Sequence, residues 1–218
     1  MALDSIKTVV VTPTILSDIK KLRRAVISVS KQTVNTDHYI VVDGLETEES
    51  NHILNNDPFI SGCHIMYTGE RSDTWGAYPR QFFLDNIDTD YDYIVHLDDD
   101  NIIFSEYVEK MSDAIESSES SEASICRIIH FGPLSESTIP GVGPVNNDPN
   151  MSYVVSGNPP IERNIDTLNT MIRFPIMKRY GWVCKKGNMG YTNDGQTYQR
   201  IFKNIKYTNI DDILAVHF

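Results

Sequence analysis

The 218-residue chain is short of cysteine, short of positive charge and without any long apolar run. Its three cysteines, Cys63, Cys126 and Cys184, are odd in number and widely scattered. That spacing excludes a disulfide framework and a Cys-x-x-Cys metal site, and suits reduced core thiols in a cytosolic protein. Lys and Arg number 19 against 30 Asp and Glu, a formal charge of −11. Such a balance opposes gripping a polyphosphate backbone, so no nucleic-acid partner is expected. No stretch approaches the roughly 18 apolar residues that cross a bilayer. The opening "MALDSIKTVVVTPT" has no long apolar region of the kind a secretion signal needs, and the expected localisation is cytoplasmic.

What is present alternates. "TVVVTPTI" (8–15) is β-branched and predicts a buried strand that stops at Pro13. Leu22, Ala25, Val26 and Val29 then follow helical spacing, with Ser17 or Asp18 ahead as a cap. "HYIVVDG" (38–44) and "CHIMYTG" (63–69) predict two more strands. A helix starting near Pro79 carries Phe83, Leu84 and Ile87 inward. "YDYIVHLDDDNIIF" (91–104) predicts a fourth strand, followed by a helix with Val108, Met111 and Ile115 on one face. Strand–helix alternation of this kind predicts an α/β fold with a mostly parallel sheet and helices on both faces.

The second half is less regular. "ESSESSEAS" (116–124) predicts a solvated helix end or loop, and the Gly/Pro/Asn-rich run 132–150 a long surface excursion. "RFPIMKRYGW" (173–182) predicts a short helix with Pro175 near its start and Gly181 past its end. Tyr198, Ile201, Phe202 and Ile205 mark one face of a last helix, capped by Asn193 or Asp194.

In open α/β sheets ligands collect outside the carboxyl ends of the strands, and Asp43 and the Asp98–Asp100 run both fall at that edge. Adjacent carboxylates raise one another's pKa unless a cation neutralises them, and a hard divalent ion such as Mg²⁺ or Mn²⁺ prefers oxygen ligands. In an extended segment Asp98 and Asp100 point the same way, so they are expected to share a site while Asp99 faces elsewhere. A solvated turn capping the next helix is the plainer alternative. The D-x-D-x-D rhythm from Asp88 superficially suggests a calcium loop, but Tyr93 stands where that loop requires Gly. Trp75 and Trp182 are candidate flat stacking surfaces for a ligand, although burial in the core is the plainer reading of either one alone.

Taken together these segments resemble the GT-A glycosyltransferases, the family-2-like ones in particular. The carriers are "RRAVISVSKQT" (23–33), "YIVVDG" (39–44), "GAYPRQFFLDNI" (76–87), "DDDN" (98–101), "TNDGQTYQRI" (192–201) and "ILAVHF" (213–218). The resemblance implies one GT-A domain over 1–218, with 1–104 binding the nucleotide sugar and 105–218 forming the acceptor side. It implies a donor site containing Thr12, Asp43, Arg80, Asp98 and Asp99, and a Mn²⁺ or Mg²⁺ held by Asp98, Asp100 and His217. It places Asp194 as the catalytic base of an inverting transfer from a nucleoside-diphosphate sugar, UDP by family habit, to a glycan or other hydroxyl acceptor. Two rivals stand beside it. A nucleotidyltransferase on a related sheet generally carries a Gly-rich basic loop after its first strand, and "VTPTILSDIKKLRR" (11–24) has no Gly. A non-catalytic sugar- or metal-binding module is the other.

Overall fold

The computed structural model describes residues 6–131, 152–162 and 164–218. The surface excursion expected at 132–150 lies outside the described residues. β1 (Thr8–Thr14), β2 (Thr36–Val42), β3 (His64–Tyr67) and β4 (Tyr93–His96) form a parallel block in the order β3-β2-β1-β4. The sheet continues beyond β4 through β8 (Thr170–Arg173), β6 (Ala123–Phe131), β9 (Tyr207–His217) and β5 (Ile102–Ile103), and β7 (Ser152–Val155) pairs with β6. β8 joins β4 and β6 antiparallel, whereas β6 and β9 run parallel. Sequence reading found the four parallel strands and missed the strands that extend the sheet.

β1 runs through Pro13 instead of stopping there. Leu97 N donates to Val11 O at 3.1 Å, the end of pairing on the β4 side. Pro13, two residues on, turns its donorless nitrogen to that same side, where β4 has finished, so no ladder bond is lost.

Alternation along each strand divides the core between two helical layers. Val9 and Val11 of β1 and Ile94 of β4 pack with α3 (Ala77–Asn86), α5 (Phe174–Tyr180) and α6 (Asn193–Phe202). Val10, Tyr93 and Val95 pack on the opposite face with Ala25 and Val29 of α1 (Ile19–Ser30) and with α4 (Tyr107–Glu116). Leu22 and Val26 of α1 meet Ile40, Val42 and Leu54 of α2 (Glu48–Asn56) in a satellite cluster. Asp18 caps α1, its carboxylate accepting from Lys20 N at 3.0 Å. Among the described residues no helix is long and apolar enough to cross a membrane.

Candidate active site

The carboxyl ends of β1, β2 and β4 open on a cleft of about 490 Å³. Its wall includes Thr14, Asp43, Arg80 and Asp98–Asp100 from the first half, and Asp166, Thr167, Asn193, Asp194 and His217 from the second. Residues expected at one site from distant stretches of sequence therefore do meet, with Thr12 as the exception.

The Asp98–Asp100 run is a turn, not extended strand. β4 ends at His96, and Asn101 N donates back to Asp98 O at 3.1 Å. The expectation that Asp99 faces away from its neighbours is corrected by this turn, which brings all three carboxylates to the cleft. Each has a different partner. Asp98 pairs with the guanidinium of Arg80. Asp99 accepts from the Thr14 hydroxyl at 2.6 Å, and Asp100 lies 3.6 Å from Lys21 Nζ. Arg80 reaches its position because α3 starts at Gly76, whose φ of 83° turns the chain. Its side chain is buried, and its guanidinium lies 4.8 Å from the centre of the Trp182 ring. Burial pushes the Asp98 carboxyl up against the pull of Arg80, with the Asp166 charge adding to the push. Burial and the charges of Asp98 and Asp100 lift Asp99 to about 6, despite the Thr14 hydrogen bond.

Asp43 directly follows β2 and lines the cleft, and its oxygens accept from Ser72 N and Ser72 Oγ, both at 2.9 Å. Thr12 is fully buried, and its hydroxyl lies 2.9 Å from His38 Nε2, away from the cleft. Alternation puts Thr14 on the same face as Thr12 but two residues further along, past the end of β4 pairing, and it is Thr14 that reaches the cleft.

Asp194 stands in the first turn of α6, and the N-cap position is Thr192 rather than Asn193 or Asp194. Asn193 instead ties the preceding turn to the core, donating to Thr74 O at 3.0 Å and Lys185 O at 2.9 Å. Burial raises the Asp194 carboxyl to about 7, and the charges of Asp166 and Asp98 add to the effect. A carboxyl poised near neutrality beside a cleft is suited to accept a proton.

His217 lies at the end of β9, its Nδ1 3.0 Å from Asp166 Oδ2. Sequence reading missed Asp166, whose only local signal is a cap: its carboxylate accepts from Leu168 N at 2.9 Å at the head of a short 3₁₀ turn, Thr167–Asn169. Trp182 is a core residue, whereas Trp75 stands exposed at the cleft. Among the described residues no group of three or more His, Cys, Asp or Glu side chains forms a ready-made metal cage. The donor set nevertheless suits a hard divalent ion, since Asp98 and Asp100 offer carboxylate oxygens to the cleft and His217, whose Nδ1 meets Asp166, has its Nε2 without a partner among the described residues.

Comparison with solved structures places this fold among the GT-A glycosyltransferases. TarS from S. aureus superposes with a TM-score of 0.68 at 13% identity, over 97% of this chain and 36% of TarS. Its 1–349 portion in complex with UDP-GlcNAc gives 0.67 at 14% identity, over 97% of this chain and 58% of that one. The mannosyltransferase PcManGT from Pyrobaculum calidifontis, in complex with GDP-Man and Mn²⁺, gives 0.59 at 11%, over 96% and 56%. The chain thus spans roughly a third to three fifths of the length of these proteins. Among curated proteins no sequence match is found. The model of glycosyl transferase family 2 matches residues 9–179, most of the chain, and the protein belongs to that family.

Proposed function

We propose that this cleft transfers a sugar from a nucleoside-diphosphate sugar, with UDP as the nucleotide, to an acceptor hydroxyl, inverting the anomeric centre. The observation that carries the reading is the meeting of Asp194 with the Arg80–Asp98 pair and the acidic turn in one cleft. Two of the structural neighbours were solved with UDP-GlcNAc and with GDP-Man and Mn²⁺, which supports a nucleotide-sugar donor and a metal. Residues 1–104 form the donor side and residues 105–218 the acceptor side.

Asp43 bonds the base or ribose of the nucleotide, while Arg80, Asp98 and Asp99 line the diphosphate position. Asp98, Asp100 and a neutral His217 would hold Mn²⁺ or Mg²⁺. When bound, that ion offsets the charge that gathers on the departing diphosphate. The acceptor oxygen forms a bond to the anomeric carbon as the bond from that carbon to the diphosphate oxygen breaks. The acceptor proton passes to an Asp194 carboxylate oxygen. Attack from the face opposite the diphosphate gives inversion. Among the alternatives, nucleotidyl transfer finds no Gly-rich basic loop after β1, and a non-catalytic module leaves the raised carboxyl of Asp194 without a role.

The test is incubation with UDP-sugars and Mn²⁺, with no acceptor added. Release of UDP is the expected product; release of pyrophosphate from a parallel incubation with UTP and a sugar 1-phosphate, with no UDP from the UDP-sugars, would assign the cleft to nucleotidyl transfer. Retention of every donor intact, despite UDP binding, would favour the binding module.

A further inference from the structure

Two large aromatic side chains stand exposed at the lip of the cleft, Trp75 at 68% and Tyr191 at 60%. Trp75 has a φ of 55° and Asp73 a φ of 56°, in the left-handed region that bulky side chains avoid. Such backbone costs about 1–3 kcal/mol per residue and persists only where surrounding contacts hold it. Here those contacts run to the turn that leads into Asp194. Gly187 N donates to Asp73 O at 3.0 Å, Trp75 Nε1 donates to Gly187 O at 3.1 Å, and Asn193 Nδ2 donates to Thr74 O at 3.0 Å. Gly190 presses so closely on the indole edge that a Cβ there would meet Trp75 Cδ1 at 2.4 Å.

The indole is thus gripped along its nitrogen edge while most of its surface faces solvent, one short turn from Asp194. An aromatic face held open at a cleft offers apolar area that a ligand gains by covering. A pyranose ring matches the setting, with a flat array of C–H groups to rest on an aromatic face and a rim of hydroxyls within reach of a base. We propose that Trp75, flanked by Tyr191, is the platform for the acceptor sugar, so that the acceptor is a glycan and not a lipid or protein hydroxyl. This inference rests on the glycosyl-transfer reading of the cleft.

The chain has two tryptophans, and Trp182 is 7% exposed, so ligand-dependent emission reports on Trp75. The full chain is titrated with methyl glycosides of glucose, N-acetylglucosamine, galactose and mannose. UDP with Mn²⁺, followed by thermal shift, serves as the donor-side reference. The expected result is a saturable blue shift with at least one glycoside. Saturation-transfer NMR then shows that glycoside bound about tenfold or more weakly by Trp75→Ala, and likewise by Gly190→Ala, which retains the indole but displaces it. Silence from all four glycosides, or equal affinity in Trp75→Ala, overturns the proposal whatever UDP does. Failure of UDP alone overturns the donor reading instead.

Discussion

Asp166 Oδ2 and His217 Nδ1 lie 3.0 Å apart, joining the head of a 3₁₀ turn to the end of the last strand. Burial by itself lowers the imidazole pKa, but the Asp166 carboxylate outweighs it and lifts His217 to about 9. His130 stacks on His217 with ring centres 4.1 Å apart and is held at about 4 by burial and by the His217 charge. With no cation bound, one ring of the stack is therefore charged at neutral pH and the other is not, and a metal ion taken up at His217 Nε2 would displace that proton. Besides Asp166, that charge is drawn to Asp98 and Asp100 of the acidic turn.

Asp194→Asn removes the proposed base and leaves the shape of the α6 turn almost unchanged. Turnover falls by about 10²–10⁴, the usual worth of general-base help, while UDP affinity by calorimetry stays within a few-fold of the parent. Transfer at the parent rate would take Asp194 out of the mechanism.

The pH profile follows from the same carboxyl. As a base Asp194 must be ionised, and its pKa is about 7, so kcat rises with pH through that value. Stability moves the other way. The folded protein holds this proton more tightly than the unfolded chain, where the value is 3.8, so stability declines as pH rises from about 4 to 7. Asp194→Asn lifts that penalty. Discounting for partial exposure, we expect about 1 kcal/mol of added stability at pH 8, or ~2–4 °C in Tm. A Tm below the parent's at pH 8 would contradict the assignment of a strained carboxyl.

Asp100→Ala deletes a carboxylate that faces the cleft and, among the described residues, pairs only with Lys21, at 3.6 Å. The fold loses little, since exposed ion pairs are worth at most about 1 kcal/mol. Mn²⁺-dependent binding of UDP disappears, as read by calorimetry with and without EDTA. Unchanged metal dependence would move the ion elsewhere.

Thr12→Val tests the donor-site role expected of Thr12, which the structure puts outside the cleft wall. The Thr12 hydroxyl meets buried His38 rather than the cleft. The variant loses about 1–3 kcal/mol of stability, the cost of leaving a buried polar group without its partner, measured by urea unfolding. A selective loss of UDP affinity with stability intact would restore Thr12 to the donor site.

The parallel block was legible because β1, β2 and β4 are short apolar runs between helices of clear period. Val9, Val10 and Val11 all find burial by facing alternate layers. The strands beyond β4 were not legible. β8 spans Thr170–Arg173 and borrows its partners from β4 and β6, so nothing local marks it as a strand. The site shows the same division. Asp43, the acidic turn, Arg80 and Asp194 carry local signatures at element ends. Asp166 looks like an ordinary cap until His217 arrives from the far end of the chain. Thr12 and Thr14 differ only in depth along one strand, which depends on where β4 stops.

The stitching of 73–75 to 187–193 also bears on how this protein can be rebuilt. The left-handed residues sit in one segment and the groups that tolerate them, Gly187 and Gly190, sit in the other. A chimera that imports either segment from a relative inherits half of a matched pair. The two stretches, more than a hundred residues apart in the gene, must be exchanged together as one module.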